Sequence, residues 1–134
     1  MTMGTLSDRA WERLSGESWN ALRASFLRVN DALLSVSPEA FADLTTIYIK
    51  YSVSPSPTSP VYAVVWVKTA KQFVVGLALP ENVSAPELTG PPQGMKYKGL
   101  TRYLVVRPGD AVPAAVDQWA RLAFDFVIET AQHP

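Results

Sequence analysis

The sequence has no cysteine and one histidine among its 134 residues. Without thiols there is no disulfide, no thiolate nucleophile and no zinc–thiolate site, and nothing points to an oxidising compartment. The one histidine, His133, stands beside the C-terminus, where a frayed residue is expected. It cannot supply a Ser–His or Cys–His nucleophile system held by packed structure, nor a cluster of histidine ligands. Long apolar runs are missing too. The first 35 residues carry arginines and acids throughout, and no later stretch has the length to cross a bilayer, so a cytoplasmic protein with no membrane association is expected. Gly90 and Gly94 neither follow a strand nor open a helix with phosphate-loop spacing, which removes the nucleotide-loop motifs. No catalytic residue, metal or cofactor is implied by any spacing, and an enzyme is the weaker class.

What is present is globular composition: 48% hydrophobic, 18% charged and 10% aromatic residues, in a chain long enough for one core and too short for two. One domain over residues 1–134 is expected, its first 17 residues an N-terminal segment holding a short helix. The net charge is zero but unevenly placed. Residues 1–43 hold four arginines against six acids, a net −2. Residues 44–107 hold seven Lys and Arg against Glu81 and Glu87, a net +5, and residues 108–134 hold Arg121 against four acids, a net −3. The basic middle ends in MKYKGLTRYLVVR, Met95 to Arg107, with four cations, two tyrosines and no acid.

Ser18 suits the N-cap of a helix whose Trp19, Leu22, Phe26, Val29 and Leu33 recur at steps of three and four. A shorter amphipathic segment, Ser7 to Leu14, precedes it with Trp11 and Leu14 on one side, and Gly16 separates the two. Ser37-Pro38-Glu39 reads as the start of a single helical turn. Strands follow at Thr45 to Val53, Val61 to Thr69 and Phe73 to Leu79, each alternating, and at Thr101 to Arg107, which is apolar on both parities. Ser52 to Pro60 reads as an irregular hairpin connection and Pro80 to Gly94 as a long loop. Asp110 can cap a last helix with Val112, Val116, Trp119, Ala123, Phe126 and Val127 inward, Phe124 and Ile128 widening the apolar arc, and Asp117, Arg121 and Asp125 outward. Strands grouped between terminal helices predict an α+β two-layer sandwich, an antiparallel sheet of about four strands with N- and C-terminal helices on one face.

The other face is where partners would meet the chain. Tyr48, Lys50, Tyr62, Trp66 and Lys68 share its parity, and aromatic rings beside cations suit stacking on bases and pairing with phosphates. Lys96, Lys98 and Arg102 share a parity and extend that cationic face. Three functions follow. The first is binding of nucleic acid or another polyanion. The second is a homodimer or protein-docking surface, favoured by Trp66 among the small residues of the third strand. The third is a small-molecule carrier or unrecognised enzyme, with a pocket between helices and sheet lined by Trp19, Phe26, Trp119 and Phe126, Glu81, Glu87 or Asp110 at its mouth, and Pro80 to Gly94 as lid. Close packing favours those four rings meeting and closing the volume. Exposed lysines on a sheet also serve simply to keep it from aggregating.

TTIYIKYSV, WVKTAKQFVVGLALP and KYKGLTRYLVVRPGD with a final helix resemble, over roughly Ser18 to Ala131, an uncharacterised bacterial domain found alone or appended to predicted nucleases. More distantly they are similar to the YjbR/MmcQ group with its frataxin-like fold. The resemblance implies an α+β sandwich and, on the YjbR side, a proposed DNA-binding role. It carries no catalytic residues: where the nucleases have an acid followed by Glu-x-Lys, this chain has Tyr48-Ile49-Lys50, without the metal-binding glutamate. The Ser52 to Pro60 loop is longer than the hairpin the resemblance implies.

Overall fold

Helical spacing and strand alternation both find their elements in the computed structural model, which describes residues 3–132. His133 lies outside the described residues. In chain order the elements are β1 (Thr5–Leu6), α1 (Asp8–Leu14), a 3-10 turn (Glu17–Trp19), α2 (Arg23–Leu34), β2 (Phe41–Thr45) and β3 (Tyr48–Ser52). They continue with β4 (Val61–Trp66), β5 (Phe73–Leu77), β6 (Arg102–Val106) and α3 (Val116–Gln132). The class is α+β. Six strands lie side by side in sequence order in one open mixed sheet: β1 runs parallel to β2 and every other pair is antiparallel.

The expected count of about four strands is therefore too low, for local reasons. The stretch expected as one strand from Thr45 to Val53 is divided by a turn at Thr46 and Ile47, so that Thr45 pairs with Tyr48. The strand before it, β2, occupies sequence that follows the Ser37-Pro38-Glu39 turn, whose Ser37 hydroxyl accepts from the Glu39 N–H at 3.2 Å. Ser7 caps α1, accepting from the Ala10 N–H at 3.2 Å and donating to Asp43 at 2.7 Å. Ser18 is no cap: it lies inside the 3-10 turn, and α2 starts after Leu22. Asp110 accepts from the Arg107 N–H at 2.9 Å, and α3 begins six residues later.

The helices bury one face of the sheet. Phe26 of α2 meets Phe73 of β5 edge to face at 6.1 Å, and Phe124 of α3 meets Tyr62 of β4 at 5.3 Å. Each buried hydroxyl has a partner, as exclusion from water requires: Tyr51 donates to Asn30 Oδ1 at 2.8 Å and Tyr62 to the Leu33 carbonyl at 2.6 Å. Burial raises both phenols well above their ordinary pKa, keeping them neutral donors. The expected quartet of Trp19, Phe26, Trp119 and Phe126 does not form. On α3 it is Phe124 that turns inward while Phe126 stays half-buried, and on α1 Ala10 and Leu14 are buried while Trp11 remains 41% exposed. At the sheet edges β1 is two residues long, and on β6 Tyr103 exchanges two backbone hydrogen bonds with Thr89, at 2.8 and 2.9 Å. Among the described residues no helix is long and apolar enough to cross a membrane.

Candidate functional site: the lysine-bearing outer side of the sheet

The face away from the helices is set by register. Tyr48 pairs with Trp66 and Lys50 with Val64, which places these four side chains together. Beyond Tyr51–Ala63 the register shifts, so that Ser52 pairs with Val61 and Tyr62 is the extra residue of a β-bulge. Strict alternation predicts Tyr62 on the outer face. The bulge instead turns it into the helix-covered core beside Ala63, and Val61 packs on the outer side. The ring of Tyr62 is thus unavailable to any ligand.

Arg102 also departs from its expected place. On β6 Tyr103 and Val105 face outward, so Arg102 has the opposite parity. Its guanidinium donates to the carbonyls of Val83 at 3.1 Å, Glu81 at 3.0 Å and Thr101 at 3.1 Å, pinning the start of the long loop. Of the eight residues singled out from the sequence, Tyr48, Lys50, Trp66, Lys68, Lys96 and Lys98 are brought to the outer side. Tyr62 and Arg102 are not.

The aromatic part of that side is covered by the chain itself. Val64, Trp66, Val74 and Tyr103 are buried beneath Met95, Tyr97 and Leu100. Alternation explains the cover: in Met95-Lys96-Tyr97-Lys98 the apolar residues turn in and the lysines are exposed. Gly94 and Gly99 bracket it at φ of 80° and 92°, where a side chain would be strained. Tyr48 lies 5.9 Å from Trp66 and 5.8 Å from Tyr97, and the Tyr97 N–H donates to the Tyr103 hydroxyl at 3.2 Å. Burial raises the pKa of Tyr97 and Tyr103. Gly76 sits under Leu100 because nothing larger fits: a Cβ there would stand 2.6 Å from Leu100 Cδ1 and 2.9 Å from Tyr103 Cε2. With Trp66 only 4% exposed, the open platform of rings expected from the sequence is closed.

The cations divide by type. All five lysines (Lys50, Lys68, Lys71, Lys96 and Lys98) lie on or around the outer side, and among the described residues none is ion-paired. The arginines other than Arg107, whose side chain is exposed, are by contrast engaged. Arg9 pairs with Asp43 at 2.9 Å, Arg28 holds Asp117 by two bonds at 3.0 and 2.6 Å, and Arg121 lies 3.7 Å from Asp125. Arg13 donates to the carbonyls of Val67 and Lys68, and Arg23 to those of Leu14 and Gly16. The helices, counting the 3-10 turn, hold seven acids against five arginines, so the two sides of the molecule differ in sign.

Two depressions open on the outer side. One, of about 190 Å³, lies between Phe41, Asp43, Lys50 and Ser52 and the loop at 54–57. Partial burial pushes the Asp43 carboxyl up, but hydrogen bonds from Ser7, Arg9 and the Leu44 N–H outweigh it and hold the pKa below the ordinary value. The other, of about 330 Å³, is lined by Trp66, Lys68, Thr69, Lys71, Gln72 and Met95. Neither lies between helices and sheet. Glu81, Glu87 and Asp110 are exposed, and the described residues contain no group of three or more His, Asp or Glu placed to hold a metal ion. The sequence reading missed Lys71 and the covering role of Met95, Tyr97 and Leu100. The alternation of apolar residues and lysines from Met95 to Lys98 is the signal that marks the cover.

No family model matches the chain, and neither a curated protein nor a solved structure matches it. A functional reading rests on the geometry and charge of the outer side.

Proposed function

We propose that the protein is a binding module that docks a polyanion, nucleic acid foremost, on the outer side of its sheet. One observation carries this reading: the lysines collect on that side without ion-pair partners, while six of the seven arginines, all but Arg107, are engaged in intramolecular bonds. An ammonium on a flexible stem suits sequence-independent contact with phosphates, whose condensed counterions it releases. The covered rings change the mode of binding from the one the sequence suggests. First contact is made by Lys50, Lys68, Lys71, Lys96 and Lys98, and Tyr48, Trp66, Tyr97 and Tyr103 give those lysines a rigid floor. Base stacking on Trp66 and homodimerisation through it both need an open ring, and Trp66 is covered.

The test is fluorescence anisotropy with labelled single- and double-stranded oligonucleotides at rising salt. Phosphate contacts predict a linear fall of log K with log salt, with a slope of roughly −0.7 to −0.9 per phosphate engaged. The double variant Lys96→Glu, Lys98→Glu should lose more than about tenfold in affinity at low salt, since it replaces two attractions by two repulsions, with its melting temperature unchanged. Failure of both the single- and the double-stranded oligonucleotide to bind at low salt overturns the proposal.

A further inference from the structure

The smaller depression holds a hydroxyl with nothing to bond. Ser52 is 7% exposed, and among the described residues its Oγ has no hydrogen-bond partner. The hydroxyls of the loop beside it are used within the loop: Ser54 bonds Ser59, and Ser56 bonds Thr58 at 3.1 Å. Among the described residues no fully enclosed side-chain oxygen or nitrogen lacks a bond, so the Ser52 Oγ opens onto the depression that it lines. Register sets its neighbours: Ser52 stands opposite Phe41, and Lys50 opposite Asp43, on the outer side of β3 and β2. A carboxylate offers about four lone-pair sites. Asp43 Oδ1 accepts from Ser7 at 2.7 Å and from the Leu44 N–H at 2.9 Å, and Oδ2 accepts from Arg9 at 2.9 Å, which leaves room on Oδ2 for one further donor.

These groups select their occupant. A phosphate placed among them would meet Lys50 but be repelled by the Asp43 carboxylate, and a cation would be repelled by Lys50. An apolar group would leave Ser52 unpaired. A neutral hydroxyl satisfies both sides, because it accepts from Ser52 while donating to Asp43. The volume of about 190 Å³ lies below the roughly 300–1,000 Å³ of drug-sized pockets and admits one small ring, with Phe41, Pro55 and Pro57 offering apolar surface to its carbon atoms. Resting on the polyanion reading above, we infer that this cleft takes one ribose of a single-stranded RNA, with its 2′-hydroxyl between Ser52 and Asp43 and the adjoining phosphate on Lys50. The 2′-hydroxyl is both donor and acceptor and is the group that DNA lacks. The lysines thus hold either kind of strand, and the cleft favours RNA.

The experiment compares a uridine oligomer with a 2′-deoxyuridine oligomer of the same length, in the intact protein and in Ser52→Ala, which removes the hydroxyl and keeps every lysine. Anisotropy titrations at low salt should show the RNA binding about three- to tenfold tighter in the parent protein, the worth of roughly one hydrogen bond. In Ser52→Ala the two strands should bind equally, at the parent's affinity for DNA, and the melting temperature should not fall, since the hydroxyl has no internal bond to lose. Equal binding of the two strands by the parent protein overturns the ribose site and leaves the polyanion reading standing. A preference for RNA that survives in Ser52→Ala places the discrimination elsewhere and also overturns it. So does a loss of affinity for both strands in that variant, which would make the serine a general support and not a reader of the sugar. Failure of both strands to bind the parent protein at low salt overturns the polyanion reading, and the ribose site with it.

Discussion

The two faces of the sheet are closed by different means. The inner face is covered by regular elements, α2 and α3, with edge-to-face rings and every buried hydroxyl matched. The outer face is covered by a short irregular segment, Met95 to Leu100, turned at two glycines and carrying two lysines outward. Helices bring their own backbone hydrogen bonds to the interface; the segment brings few, among them Met95 N–H to Pro92 C=O and Leu100 N–H to Tyr97 C=O. A cover built that way should open at lower free energy than the helical layer. The lysine-bearing side is thus separable in stability from the side that holds the fold.

The comparison breaks first at the inner face. Phe26→Ala removes a buried ring from between α2 and β5 and should cost about 3–5 kcal/mol, read as a lower denaturant midpoint with an unchanged slope. A loss below about 1 kcal/mol would mean that the helical layer repacks as readily as the loop. At the outer face Gly76→Ala should cost less, about 1–3 kcal/mol, because the new methyl displaces Leu100 and not a helix. Its signature is local: hydrogen exchange should rise at the Tyr97 amide, which donates to Tyr103, while the Phe26 amide on α2 is unaffected, and adding Leu100→Ala should restore part of the loss. Uniform acceleration across both faces would show that the cover does not open alone. Smallest is Asp117→Asn on the helix side, below about 1 kcal/mol, since the pair with Arg28 is exposed to solvent. The bidentate bond from Arg28 lowers the Asp117 pKa from its ordinary 3.8. Its contribution is present above that ordinary value and is lost as pH falls through the lowered one, so parent and variant should converge in stability in acid. Persistence of the gap at the acid end would remove the ion pair as its cause.

What could be read from the sequence followed from periodicity, and what could not followed from its interruptions. α2, α3, β4 and β5 each carry a repeat of 3.6 or 2 long enough to recognise, and β6 shows as a run of β-formers without one, although the starts of both helices lay several residues later than their apparent caps. The turn between β2 and β3 has Thr46 and Ile47, both β-branched, and neither has positive φ, so no glycine or asparagine signal divides the strand. The strand β1 is too short to show any period. For the candidate site, Tyr48, Lys50, Trp66 and Lys68 were legible because β3 and β4 alternate. Tyr62 was not, because a bulge adds one residue without changing the composition. Arg102 was not, because its strand is apolar on both parities. That the segment after Gly94 folds back over Trp66 is a tertiary fact, and only the alternation from Met95 to Lys98 hinted at it.

The isolated bridge between Thr89 and Tyr103 has a consequence for growth. A strand with a bare edge is a template, and a second chain can extend it, then a third, until a fibril nucleates. Here both bonding positions of Tyr103 are already taken by Thr89, and the Arg107 N–H is taken by Asp110. At the far side the sheet ends in two residues of β1, too short to register another strand firmly. One threonine of the long proline-rich loop thus takes the place on this edge, at Tyr103, where another strand would pair.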